Sequence, residues 1–249
     1  MAAARETDFG FRRVSEDEHA GLVGRVFDSV ASRYDLMNDL MSGGLHRLWK
    51  AALIERLRPR PGMRLADLAG GTGDVAFRFI DKLNGGGEVV IADRNAAMLE
   101  VARDRAIDRC ILHGLDLVCA DAADLPFPNA TFDAATIAFG LRNVTRREEA
   151  LAEARRILKP GGHFLCLEFS PGVFPILRPL YDAYSFRVLP ALGEAVAGDA
   201  ESYRYLAESI RRFPDQETLA GEMRSVGFGN VTWRGMSAGI VALHSGWRI

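Results

Sequence analysis

The run Leu65-Ala66-Asp67-Leu68-Ala69-Gly70-Gly71-Thr72-Gly73-Asp74 reads as an apolar strand followed by a glycine turn. A second strand, Glu88-Val89-Val90-Ile91-Ala92-Asp93, closes on an acid. Glycine has no Cβ, so such a turn lets the backbone press against a ligand. An acid at the end of the neighbouring strand can accept both hydroxyls of a ribose. Together these two segments predict a nucleoside-binding half built from strand-helix-strand units.

Two nucleosides fit the glycines. Gly71-Thr72-Gly73-Asp74-Val75-Ala76 satisfies the dinucleotide pattern G-x-G-x-x-A, with Asp93 at the interval expected for NAD. Asp67 before the turn, Asp121-Ala122 after a third strand and Pro160-Gly161-Gly162 before a later one favour S-adenosylmethionine instead. A pyrophosphate needs a helix N-terminus with free N–H groups, and Asp74 stands where that helix begins. The zwitterionic tail of adenosylmethionine tolerates an acid there, and Asp74 either caps the helix or touches the ligand. Lysine occurs only at 50, 82 and 159, never four residues after a tyrosine, so the Tyr-x-x-x-Lys dyad of short-chain dehydrogenases is absent.

The organisation follows from periodicity. Glu16 to Ser32 reads as an amphipathic helix with Leu22, Val23, Val26, Phe27 and Val30 on one face, and a second helix ends near Leu57 before Pro59 and Pro61. Strands then alternate with helices: 63–69, 88–93, 115–121, 132–139 and 163–169. That alternation signals a parallel sheet covered on both faces. Segments 230–236 and 240–247 are separated by a short turn and predict a terminal antiparallel hairpin. The expected fold class is α/β, a Rossmann-like seven-stranded sheet of five parallel strands plus that hairpin. One domain is expected, divided into a helical cap (1–62), a cofactor core (63–170), a helical insert (171–214) and a final helix with hairpin (215–249). The insert is rich in aromatic and aliphatic residues and suits either packing on the core or a lid over an apolar substrate.

The formal net charge of the 249 residues is -2, which gives no argument for nucleic acid as a partner, and none is expected. Cys110, Cys119 and Cys166 are scattered, with neither a C-x-x-C pair nor a histidine cluster for zinc, so no metal site is expected. The start lacks an apolar leader, and no apolar run reaches the ~18 residues of a spanning helix. A cytoplasmic protein, or one peripheral to a membrane, is the expectation.

Three stretches carry a family resemblance. Tyr34-Asp35-Leu36-Met37-Asn38, continuing through Ser42, His46 and Trp49, resembles the N-terminal signature Y-D-x-M-N-x-x-[LIVM]-S-x-x-x-H-x-x-W of the ubiquinone/menaquinone biosynthesis C-methyltransferases. Arg156 to Ser170 resembles their second signature, and Phe139-Gly140-Leu141-Arg142-Asn143-Val144 a further hallmark. The similarity runs from about Phe9 to the C-terminus. It includes Tyr181 to Phe186 and Ser202 to Ile210 in the insert. The departure is Ala138, where many members carry a serine that contacts the cofactor.

The resemblance implies methyl transfer from adenosylmethionine to a ring carbon of a polyprenylated benzoquinol or naphthoquinol. It leaves open contact with the inner face of the cytoplasmic membrane, contact with a quinone-biosynthesis complex, and homo-oligomerisation. Cofactor contacts fall to Gly71, Thr72, Gly73, Asp93, Asp121, Ala122 and the backbone of Ala138. Arg142 is expected to stabilise a phenolate, with a structural ion pair as its alternative. Asn143 is expected to orient the same hydroxyl or to cap a helix. Tyr34 and His46 are candidates for proton transfer, against helix packing for His46. A NAD-dependent oxidoreductase and a non-catalytic adenosylmethionine-binding member of a quinone-biosynthesis complex are the rival readings.

Overall fold

The computed structural model describes residues 6–30, 34–174, 179, 183–188, 191 and 200–249. The chain opens with an antiparallel pair, β1 (Glu6–Phe9) and β2 (Arg12–Ser15), that turns at Gly10. Nothing in the polar start announces these strands. They are held by burial of Phe9 and Val14 against Tyr205, far along the chain. Helix α1 (Glu16–Val30) follows directly, and Ser15 Oγ accepts the Glu18 N–H at 3.2 Å, the N-capping bond of a Ser-x-x-Glu sequence. Helices α2 (Tyr34–Ser42) and α3 (His46–Leu57) complete the cap. Arg58 ends α3 in the left-handed region at φ 54°, its N–H returning to Ile54 O, and the prolines that follow prevent continuation.

The alternating part forms the expected sheet. Strands β3 (Arg64–Leu68), β4 (Glu88–Asp93), β5 (Leu115–Cys119), β6 (Phe132–Ala138) and β7 (Leu158–Phe169) are parallel. Strands β8 (Gly229–Met236) and β9 (Val241–Trp247) add antiparallel, giving the order β5-β4-β3-β6-β7-β9-β8. Strand β7 starts earlier than the sequence predicted: Leu158 pairs with Phe132 before a register shift across the Lys159-Pro160-Gly161-Gly162 stretch.

Central strands are apolar on both faces because helices cover both, as in other parallel sheets. Helices α4 (Asp74–Leu83) and α5 (Ala96–Asp108) pack Phe79, Ile80 and Leu99 with Leu65, Ile91 and Leu165 on one side. Helix α6 (Arg147–Ile157) places Leu151 and Ile157 with Leu68, Phe164 and Phe228 on the other. Helices α7 (Ala200–Arg212) and α8 (Gln216–Ser225) complete the fold.

Of the insert, α7 buries Tyr203, Tyr205, Leu206 and Ile210 in the core, so this part is packing. Most of 175–199, including Ile176, Leu177 and Tyr181, lies outside the described residues. Strand β3 neighbours β4 on one side and β6 on the other. The chain leaves β3 and β6 toward opposite faces, which opens a crevice at their carboxyl ends.

Candidate active site

A cavity of about 830 Å³ occupies that crevice, lined by residues that follow β3, β4, β5 and β6 and roofed by α1. Its base is the turn after β3. Gly71 adopts φ 55° with no atom within 4 Å of where a Cβ would stand, so its bare backbone faces the open space. Asp93 closes β4 opposite. Its Oδ2 accepts the Gly71 N–H and its Oδ1 the Asn95 N–H, both at 2.8 Å. These bonds orient the carboxylate and leave each oxygen a further lone pair. Burial raises the Asp93 pKa, and the two backbone bonds oppose that rise.

At the far end, Asp121 and Ala122 line the cavity after β5. Asp121 Oδ1 accepts the Ala123 N–H at 2.9 Å, while Oδ2 lies 3.4 Å from Arg146 and 3.7 Å from Arg94. Met98, 2% exposed in the core, also lines the cavity. Helix α1 lies across the opening with Val23, Gly24 and Phe27. Polar contacts hold it there: Asn95 Nδ2 donates to Asp28 Oδ1 at 2.7 Å and reaches Gly24 O at 3.5 Å, and Thr145 Oγ1 meets His19 Nδ1 at 2.8 Å. Asn95 and His19 escaped sequence reading. The signal for Asn95 was its place two residues after Asp93, where it also caps α5.

The turn after β6 forms the remaining wall. Phe139 and Ala69 both take positive φ, 58° and 46°, at the ends of adjacent strands. A Cβ on Gly140 would stand 2.5 Å from Ala69 Cβ, so the alanine at 69 requires a glycine across the crevice. Asn143 ends the 3₁₀ turn Leu141–Asn143 and faces the cavity. Arg142 does not. Its side chain is 3% exposed and paired at 2.8 Å with Glu168, itself 1% exposed, on β7. Arg142 Nη1 also donates to Phe139 O, and Glu168 Oε2 accepts the Arg142 backbone N–H at 3.3 Å. In this structure Arg142 makes the buried ion pair that was its alternative and does not line the cavity. Leaving Glu168 for the cavity would strand a buried carboxylate.

Other expected residues also lie elsewhere. Thr72 is 2% exposed and its hydroxyl accepts from Arg105 Nη1 at 2.9 Å, which directs it to α5 rather than to the cavity. Gly73 is the N-cap of α4 at φ 84°, and a Cβ there would stand 2.9 Å from both Ile91 and Phe77. Its glycine answers to packing. Ala138 pairs with Leu167 inside the sheet. His46 is 4% exposed at the start of α3, with Nε2 2.8 Å from Asp39 Oδ1, and burial lowers its pKa although Asp39 opposes this. It belongs to a separate hollow with Arg78 and Arg109. The Tyr34 side chain lies outside the described residues.

Beneath the glycine turn sits a charged cluster. Gly73 rather than Asp74 caps α4. Asp74 stands in the first turn with its oxygens on Lys50 Nζ and Arg78 Nε, each at 2.8 Å. Burial raises its pKa, but the two cations outweigh that and bring it to about 2. Asp67, 1% exposed on β3, accepts from the Thr136 hydroxyl at 2.8 Å, and burial pushes its pKa up to about 7 despite that bond and nearby Lys50.

Comparison with known proteins bears on the family and the fold. A family model described as the ubiE/COQ5 methyltransferase family matches residues 12–248. The chain is 59% identical to a protein of Methylobacterium nodulans named ubiquinone/menaquinone biosynthesis C-methyltransferase UbiE, over 98% of this chain and 97% of that one. It is 56% identical to the protein of the same name from Paracoccus denitrificans, over 98% of each. Among solved structures, an S-adenosylmethionine-dependent methyltransferase of Thermotoga maritima superposes with a TM-score of 0.64 at 20% identity, over 90% of this chain and 99% of that one. That last likeness bears on the fold alone.

Two predictions follow from the buried charges. Native Asp67 holds its proton from its unfolded pKa near 4 up to about 7. Over that window the folded state binds more protons than the unfolded one, and stability falls as pH rises, by at most about 1.4 kcal/mol per unit. Asp67→Asn should therefore gain on wild type in thermal midpoint from pH 4 to pH 7, and parallel curves would refute the assignment. Arg142→Met leaves Glu168 charged and unpaired, and should cost about 3–5 kcal/mol in denaturant unfolding. Wild-type stability with slowed turnover would instead restore Arg142 to the substrate.

Proposed function

The chain belongs to the ubiE/COQ5 methyltransferase family, and from that membership we propose that it methylates a ring carbon of a polyprenylated benzoquinol or demethylated naphthoquinol. The observation that carries the reading is near full-length identity to relatives named for that reaction. The rival dehydrogenase reading finds no support in that membership. The cavity suits the cofactor: its volume lies in the range of ligand pockets, and Asp93 presents an oriented acceptor beside the bare Gly71 backbone. When bound, adenosylmethionine supplies a methyl group made electrophilic by its sulfonium.

The residues then divide the work. Asp93 holds the ribose hydroxyls, Gly71 admits the methionine portion, and Asp121 with the Ala122 N–H takes the adenine edge. Thr72, Gly73 and Ala138 act through the backbone and packing that shape this wall. A ring carbon becomes nucleophilic once an ortho or para hydroxyl ionises, and Asn143 is the polar side chain on the β6 turn that faces the cavity. Arg142, fixed by Glu168, holds that turn in place. His46 joins α2 to α3 through Asp39, and Tyr34, on α2, remains the proposed hydrogen-bond donor to the substrate oxygen. Helix α1 keeps water from the reacting atoms, and a fixed geometry is worth up to about 7–11 kcal/mol in such reactions.

The cap, core, insert and terminal hairpin act as one catalytic unit in this reading, with the insert on the substrate side. Among the described residues no helix is long and apolar enough to cross a membrane. Reaching a prenylated substrate at a membrane surface, as a peripheral cytoplasmic protein and with other quinone-biosynthesis proteins or a second copy, is part of the proposal.

The test uses labelled adenosylmethionine with both demethylated quinols and one preparation of protein. Label should appear on a ring carbon of at least one of them. Asp93→Ala, which deletes an acceptor worth about 1.5–3 kcal/mol, should weaken cofactor binding roughly ten- to a hundredfold by calorimetry. A protein that binds adenosylmethionine yet labels neither quinol contradicts the reading.

A further inference from the structure

Asn143 is the polar end of the β6 turn, and one side of its amide is already committed. Tyr205, on α7, donates its hydroxyl to Asn143 Oδ1 at 3.1 Å. The phenol is 4% exposed, and that carbonyl is its partner among the described residues. An amide turned the other way would put NH₂ against a hydroxyl whose own proton then had no acceptor, a costly state for a buried group. Burial raises the Tyr205 pKa, so the hydroxyl stays a donor at any working pH. The charged groups that act on it are Arg142, behind the same turn, and Glu168 on β7, which are paired with each other.

The opposite end of the amide is unclaimed. Asn143 lines the cavity, and its Nδ2 has no partner among the described residues. We propose that Tyr205 is a positioning residue that locks the Asn143 amide with its nitrogen toward the cavity, making Asn143 a dedicated donor to an anionic substrate oxygen. The inference rests on the reading of Asn143 as a substrate contact. Tyr205 is itself fixed: its ring stacks on Phe9 at 4.1 Å and 14°, and the Phe11 N–H of the same hairpin reaches Glu208 on α7 at 3.1 Å. The N-terminal hairpin and α7 together set the orientation of an amide that neither of them contains.

A locked donor has a chemical consequence. An amide free to flip would also present its carbonyl oxygen, which repels a forming phenolate. A nitrogen held in place favours the ionised hydroxyl at no reorganisation cost.

A double-mutant cycle on the full chain tests this, with adenosylmethionine and a diprenyl demethylmenaquinol as probes. Tyr205→Phe keeps the stacked ring and removes the hydroxyl. It should lower kcat about tenfold, leave cofactor Kd unchanged, and raise by about one unit the pH at which kcat reaches half its plateau, because the bound substrate then ionises with less help. Asn143→Ala should lose more, and Tyr205→Phe should add nothing in that background. Additive losses, or an unmoved pH profile, overturn the inference.

Asn143→Asp offers an acceptor to Tyr205 but no donor to the cavity, and should fall as far as Asn143→Ala. Wild-type turnover in this variant overturns the inference even if Tyr205→Phe does not fold. Wild-type turnover in Asn143→Ala shows instead that the reading of Asn143 fails, and this inference with it. A crippled Asn143→Ala beside a fully active Tyr205→Phe removes only the role of Tyr205. The ¹⁵N–¹H side-chain amide signals of Asn143 give a readout that needs no turnover. Tyr205→Phe should shift or split them, and unchanged signals overturn the lock.

Discussion

Two backbone N–H groups, of Gly71 and Asn95, converge on the Asp93 carboxylate, and the rest of the site is arranged around that junction. The bond from Gly71 ties the turn after β3 to the end of β4, so the two strand ends cannot drift apart without breaking a charge-assisted hydrogen bond. Asn95 carries the same junction outward, because its side chain caps α5 and reaches α1. One carboxylate thus couples the base of the cavity to its roof.

The opposite wall depends on a second buried charge. Arg142 and Glu168 are sealed together between the β6 turn and β7, an arrangement whose worth lies in fixing position more than in net stability. The turn they hold presents Asn143 to the cavity and backs onto Tyr205. Asp67 and Asp74 show the same economy of placement beneath the glycine turn: one buried acid has a pKa near 7 with a hydroxyl partner, and the other is held near 2 by two cations. Their titrations tilt stability in opposite directions with pH.

Much of this was legible in the sequence. Strand β4 was read to the residue, and the remaining parallel strands and the terminal hairpin were placed within a few residues, because apolar runs punctuated by turns carry their own signal. The β1–β2 hairpin was not legible, since Phe9 and Val14 find their burial partner in Tyr205, at the other end of the chain. Strand β7 began early because its Pro-Gly-Gly stretch is absorbed as an irregularity in the pairing rather than ending the strand. At the site, Gly71, Asp93, Asp121, Ala122 and Asn143 do gather around one cavity. Local spacing at strand ends was enough to place the first four, and the family resemblance pointed to Asn143. Arg142, Thr72 and His46 were less legible because their partners, Glu168, Arg105 and Asp39, are set by packing directions that spacing does not encode.

The most direct measurement is a crystal structure of the protein grown with S-adenosylhomocysteine. The account predicts the ribose hydroxyls on the Asp93 carboxylate, the adenine edge at Asp121 and Ala122, and α1 closed over the nucleoside. A nucleoside bound elsewhere, or one in this cavity with its ribose turned away from Asp93, would contradict it.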